Sequence, residues 1–374
     1  MGVARTALLE ARFRATAPLW EVAVFGFAPL LLLGIVFFAE LRWGRSLGDF
    51  KIFRDAASAV IHGRTPYVAV EPHALAQSDK FVYAPITGLL FAPFALMPLE
   101  VARLVMLLAV TASIPVALRL LGVQDWRCYG LALLTAPFAD ALSIGALTPF
   151  LLVAAALGWR FRDRPLIGPL ACAVAAVSKI FLWPLGIWLV ATRRVRSAGL
   201  CAAAAAGLLL VGWAVIGFQG LDTYSHLLRV LSDVEAGKSY SLVGFFGLTG
   251  APASATSLAL GAALAGAVIA AARGENGDRR AFAVAVAGSV LVTPVLWVHY
   301  FVLLFVPLAL FRPRLSPVWF APLAFWATPF AYSDGVAWRV CVALLTAAGI
   351  LVSSIVRPRL SAPTTYVATS ASHP

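Results

Sequence analysis

LIGPLACAVAAVSKIFLWPLGIWLV, residues 166–190, lies between two short basic clusters, RFRDR (160–164) and TRRVR (192–196). Short loops rich in Arg and Lys stay on the cytoplasmic side of a membrane, so the chain between these clusters must leave that side and return to it. The run is apolar except at Ser178 and Lys179, which form its natural break. It reads as a tight pair of helices crossing out and back, with Lys179 at the outer end of the turn.

The rest of the chain repeats this pattern. Of 374 residues, 61% are hydrophobic and 12% charged, about half the ~25% charged content of soluble domains. Apolar runs recur from Val22 to Val356, and the longest meet the ~20-residue requirement of a spanning helix. The first, Val22 to Ala39, follows Arg5, Arg12 and Arg14 but has no small-residue cleavage site, so it reads as a retained helix. The net charge of +12 is spread as short clusters between apolar runs. It therefore sets topology, and a nucleic-acid partner is not expected. Cys128, Cys172, Cys201 and Cys341 have neither CxxC spacing nor His neighbours and read as small apolar side chains.

Placing RGENGDRR (273–280), RPR (312–314) and RPR (357–359) on the cytoplasmic side as well predicts twelve crossings in an all-α fold. The spans are 22–39, 99–121, 128–142, 147–159, 166–178, 180–191, 197–216, 252–272, 281–297, 299–310, 316–332 and 335–356. Residues 1–21 form a cytoplasmic N-terminus, 22–356 a single transmembrane domain, and 357–374 a cytoplasmic tail expected to be disordered. Residues 84–98 carry Pro85, Pro93 and Pro98 and read as broken or re-entrant. The outer loops are 40–83 and 217–240. Asp49, Ser143, Thr148, Lys179 and His299 then all fall on the outer side, from segments far apart in the chain.

Each of these has a structural and a functional reading. GDFKIFRDAASAVI (48–61) places Phe50, Phe53, Ala57, Val60 and Ile61 at helical spacing, as in an amphipathic helix lying in the outer interface. Asp49 reads as its N-cap, as a carboxylate base, or as both. Asp55 reads as the partner of Lys51 or Arg54. Lys179 either snorkels to the interface or binds an anion, for which a point charge on a long stem is sufficient. His299, between Trp297 and Tyr300, either joins an aromatic belt or donates to a phosphate or a sugar hydroxyl. Tyr83, next to Pro85, reads first as packing, while His226, Asp233 and Glu235 have no defensible partner spacing and read as solvated. The sequence contains no metal cluster, P-loop or Rossmann fingerprint.

Four stretches, GDFKIFRDAASAVIHGRTPY (48–67), FVYAPITGLLFAPFALMP (81–98), AVSKIFLWPLGIWLV (176–190) and LVTPVLWVHYFVLLFVPLALF (291–311), occur in this order. Together they resemble glycosyltransferase family 87 over roughly residues 20 to 330. The resemblance implies a GT-C fold of about twelve transmembrane helices plus an outer interfacial helix. It implies a multi-pass protein of the cell membrane with an extracytoplasmic site that uses a polyprenyl-phosphate sugar, chiefly mannose, and no metal or other cofactor. By motif it gives Asp49 as catalytic base and Lys179 and His299 as ligands of the donor phosphate; beside these, Arg45 is expected as a further phosphate ligand, and Tyr83 and Tyr300 as contacts to donor or acceptor. The expected acceptor is a glycolipid of phosphatidylinositol mannoside or lipomannan type, joined in an α-1,2 linkage. Decaprenyl-phosphate arabinose is the alternative donor, and a secondary transporter or an inactive scaffold the alternative kind of protein. SIGALTPFLL (143–152) departs from the Gly-Gln-x-Asn-like stretch of relatives, so Ala146 and Thr148 lack those amides.

Overall fold

The computed structural model describes residues 18–43, 47–68, 71, 75, 80–328 and 333–355. Arg45, the tail 357–374 and most of the N-terminal segment lie outside the described residues. In chain order the helices are α1 (Leu19–Arg42, π-helical over Val22–Phe27), α2 (Gly48–Ile61), α3 (Pro85–Leu90), α4 (Ala92–Ala95), α5 (Leu99–Leu121) and α6 (Trp126–Leu133). They continue with α7 (Ala136–Ile144), α8 (Thr148–Arg160), α9 (Ile167–Ser178), α10 (Pro184–Ala191), α11 (Val195–Val215) and α12 (Leu221–Glu235). The last are α13 (Leu242–Gly247), α14 (Ala253–Ala271), α15 (Gly277–Val292), α16 (Phe305–Phe311) and α17 (Ala337–Ile355). Short 3-10 segments occupy Ile180–Leu182, Ala236–Lys238, Val298–Leu304 and Pro317–Ala327, and the described residues include no strand.

Helices α1, α5, α11, α14 and α17 are long and apolar enough to cross a membrane. At 1.5 Å per residue they extend about 28 to 36 Å, matching a hydrocarbon layer of ~30 Å. They turn Leu30, Ile35, Leu108, Leu210, Leu258 and Leu345 outward, a surface that lipid covers at no hydrophobic cost. The bounds of α5 coincide with the expected span. Pro98 precedes its first turn, and Gly122, at φ 91°, ends it by donating its N–H back to the Arg119 carbonyl at 3.1 Å.

Of the twelve expected crossings, five among the described residues are matched by single helices of spanning length, and six if the bent pair α7–α8 is one span. The remaining expected spans coincide with shorter pieces. Helices α7 and α8 form a pair bent by 116°, and α9 covers about 18 Å. Their backbone breaks are buried in protein, where irregular structure at membrane depth is tolerated; all of Val298–Leu304 is buried. Residues 84–98 are broken, as expected, into the short helices α3 and α4. The expected loop 217–240 is largely the helix α12.

The basic segments gather at one end of the molecule. Asp278 accepts from Arg162 Nε at 2.9 Å, from Arg194 Nη1 at 2.8 Å and from Trp188 Nε1 at 2.9 Å, which ties together the connections at 160–164, 192–196 and 273–280. Arg279 lies over the Phe311 ring, 5.8 Å from its centroid. Beyond it, Gln124 N donates to the Pro313 carbonyl at 2.8 Å and Leu315 N to Asp125 at 3.2 Å. Arg127 then bridges Asp125 and Glu21, each at 2.8 Å. From this end α9 runs away for twelve residues, and Lys179 stands at its far tip. A helix of that length does not traverse ~30 Å. Lys179 therefore lies about 18 Å along the bundle from its basic end.

Candidate active site

Helix α2 presents Asp49. Leu47 occupies the N-cap position, and Asp49 lies in the first turn. The N-cap reading of Asp49 is thereby corrected: Leu47 supplies the non-helical N-cap residue, and Asp49 stands two positions past it, inside the helix. Phe50, Phe53, Ala57 and Val60 are buried, as the periodicity predicts. They pack on protein rather than lipid. The Phe53 ring stacks on Phe91 at 4.5 Å and meets Tyr83 at 5.0 Å, and Phe50 meets Phe94 edge-on at 5.5 Å. Arg54 donates to the Phe94 and Met97 carbonyls at 3.3 and 3.2 Å, which anchors α2 against residues 81–97. Asp55 pairs with Lys51 at 3.2 Å, one of the two partners expected of it. Asp49 is half-buried and lies one turn before Phe53 on the same helix face.

Lys179 has extended backbone angles between α9 and the Ile180–Leu182 turn, and its side chain is carried inward, with the residue only 7% exposed. The snorkelling reading does not hold. Its Nζ lies 3.3 Å from the Tyr300 ring centroid, 5.5 Å from that of Tyr83 and 5.9 Å from that of Phe181. The Phe181 and Tyr300 rings stack at 5.5 Å. The carboxylate of Asp49 acts electrostatically on Lys179, Tyr83 and Tyr300, and the two phenols interact with each other. Asp49, Tyr83, Lys179 and Tyr300, from four distant segments, thus converge. An ammonium removed from water costs several kcal/mol, and an aromatic face returns about 0.5–2 kcal/mol. The arrangement is electrostatically suited to an added anion.

His299 is directed elsewhere. It is 2% exposed, and both its backbone N and its Nδ1 meet Asp140 Oδ2, at 3.2 and 3.1 Å. Nε2 is the ring nitrogen left over. The imidazole stands edge-on to Tyr300 at 4.6 Å, so it borders the Lys179 cluster through that ring. Asp140, on α7, was not singled out in the sequence, although an Asp inside an apolar run is the same signal that marked Lys179. Tyr240, fully buried, lies within the field of the Asp140 carboxylate and close to Thr328.

Other expectations separate from this cluster. Ser143 donates back to the Asp140 carbonyl at 2.9 Å. The Thr148 hydroxyl is buried with no hydrogen-bond partner among the described residues. Glu235 is not solvated: it is buried and paired with Lys80 at 2.7 Å and with Lys238 at 3.7 Å. Among the described residues no group of three or more His, Cys, Asp or Glu could hold a metal ion.

The described residues thus form a helical membrane protein that buries a lysine at the far tip of a short helical hairpin, within the field of the Asp49 carboxylate. The model of glycosyltransferase family 87 matches residues 81–296, more than half of the chain, and the chain belongs to that family of membrane glycosyltransferases. The matched stretch contains Tyr83, Asp140 and Lys179; Asp49 precedes it, and His299 and Tyr300 follow it. No curated protein and no solved structure matches.

Proposed function

We propose that the chain transfers mannose from a polyprenyl-phosphate donor to a glycolipid of phosphatidylinositol mannoside or lipomannan type, forming an α-1,2 linkage on the extracytoplasmic face of the cell membrane. The observation that carries this reading is Lys179, a buried ammonium packed on Tyr300 within the field of Asp49. A lipid-linked phosphate reaches such a place from within the bilayer, while its sugar and the acceptor meet at the outer side.

The chemistry is a single displacement that inverts a β-linked donor to an α-linked product. The acceptor hydroxyl attacks the anomeric carbon and gives its proton to Asp49. The bond from that carbon to the phosphate oxygen breaks, and its electron pair leaves with the polyprenyl phosphate. Lys179 neutralises the charge that develops there, a preorganised electrostatic contribution in a site of low dielectric. His299 Nε2 and Arg45 are the further candidate ligands of that phosphate, and Tyr83 and Tyr300 border donor and acceptor. The reaction written this way requires no metal. Family membership favours a transferase over a transporter.

A membrane assay offering polyprenyl-phosphate mannose and decaprenyl-phosphate arabinose separately, each against a panel of lipid acceptors, tests the proposal when followed by linkage analysis. Consumption of the mannosyl donor with an α-1,2 product is expected. Consumption of only the arabinosyl donor overturns the choice of sugar, and consumption of neither overturns the donor class.

A further inference from the structure

We propose that Asp140 is a positioning residue of the same site, which fixes the imidazole of His299 so that Nε2 alone faces the donor. This inference rests on the reading of His299 as a ligand of the donor phosphate. Asp140 is 2% exposed on α7, flanked by the buried Pro137, Phe138, Ala139, Ala141 and Leu142. Placing a carboxylate in such surroundings is costly unless it is paired and hydrogen-bonded. Its Oδ2 accepts from the backbone N of His299 at 3.2 Å and faces the Nδ1 of the same residue at 3.1 Å.

Two contacts from one residue to one oxygen set both the start of the Val298–Leu304 turn and the plane of the ring. Capping that turn alone requires only an acceptor, and a neutral Asn or Ser side chain does this without burying a charge. The contact to Nδ1 is the part for which a carboxylate is suited. It accepts the proton of Nδ1 in a hydrogen bond and favours the doubly protonated ring, in which Nε2 also carries a proton and donates it to a phosphate oxygen.

The fold connects this pair to the rest of the site. Helix α7 ends at Gly145, at φ 64°, where an added Cβ would stand 2.8 Å from the Phe50 Cβ. Its C-terminus is therefore pressed against the first turn of α2, which carries Asp49. Through His299 its middle touches the segment that carries Tyr300, the ring on which Lys179 rests. One short helix so sets the spacing between the proposed base, His299 and the Tyr300 ring under Lys179.

The test is a double-mutant cycle on the full-length protein in liposomes, with folded fraction and thermal midpoint measured alongside. Asp140→Asn keeps the size and one acceptor oxygen. It is expected to lower turnover about 10–100-fold, the size of the loss at metal sites when the carboxylate behind a metal-ligating imidazole is removed, with an unchanged thermal midpoint. In a His299→Ala background the same substitution is expected to change turnover by less than about threefold, because its effect passes through the ring. Equal losses in both backgrounds, or full activity of Asp140→Asn beside an impaired His299→Ala, overturn the inference. Full activity of His299→Ala instead overturns the role of His299 in the proposed function. Should Asp140→Asn fail to fold, ¹⁵N-histidine spectra of the unsubstituted protein decide, with His299 assigned by its loss in His299→Ala. A protonated Nδ1 and a shift of Nε2 on adding polyprenyl phosphate support the inference, and a bare Nδ1 or an unresponsive Nε2 overturns it.

Discussion

Replacing Lys179 by Met separates a residue kept for chemistry from one kept for stability, because the two roles predict opposite signs. Met has nearly the length of the Lys stem and fills the space between Tyr83, Phe181 and Tyr300 without leaving a large cavity. What is lost is a cation–π contact worth about 2 kcal/mol or less and the attraction to Asp49. What is regained is the desolvation of a buried ammonium, several kcal/mol. Asp49 is half-buried and keeps access to water, so leaving it without Lys179 is less costly than exposing a fully buried charge. The folded state should be unchanged or slightly more stable, because the regained desolvation offsets the lost contacts while Asp49 keeps its access to water. Turnover should fall about 10²–10³-fold, the typical loss when one preorganised donor to a developing anion is removed. The assay pairs release of polyprenyl phosphate from the mannosyl donor with a thermal melt followed by fluorescence-detected size exclusion. Turnover within threefold of the parent protein refutes the reasoning, as does a loss of activity that follows a loss of folded protein.

Asp49→Asn should lower turnover about 10²–10⁴-fold while leaving the thermal midpoint nearly unchanged, since Leu47 occupies the N-cap of α2 and Asn keeps the size of Asp; a clear drop in midpoint by the same melt would return it to a structural role. Asp278→Ala removes the common acceptor of Arg162, Arg194 and Trp188. It should destabilise the protein by about 1.5–3 kcal/mol, visible as a lower melting temperature with turnover per folded molecule intact. At the same end, hydrogen bonding from Arg127 holds the Asp125 carboxyl below its ordinary value of 3.8. A depressed folded-state value stabilises the protein above about pH 4 and ceases to do so as pH falls through it. A melt series from pH 6 to pH 3 should therefore show an acid loss that is smaller in Asp125→Asn.

Much of the architecture was legible because it is written in local signals. Pro98 and Gly122 bracket α5 at the expected residues. The hairpin broken at Ser178 and Lys179 follows from one polar pair in a long apolar run, and the buried side of α2 from the spacing of its Phe, Ala and Val residues. The count of crossings was not legible. Hydropathy locates apolar segments but does not say whether lipid or protein covers them, and α9, α10 and the 298–304 turn are covered largely by protein.

The sequence by itself determined a helical membrane chain, its basic end and the residues that carry charge into apolar surroundings, since each of these depends on a residue and its near neighbours. Only the tertiary structure decided what those charges meet. It set Lys179 on Tyr300 rather than at the interface, and it joined Glu235 to Lys80. It also turned His299 to Asp140, 159 residues away in the chain. The reason is physical: an unpaired buried charge is costly, so each one is matched, but the partner is supplied by whichever helix packs against it. That choice rests on long-range packing, and no spacing along the chain encodes it.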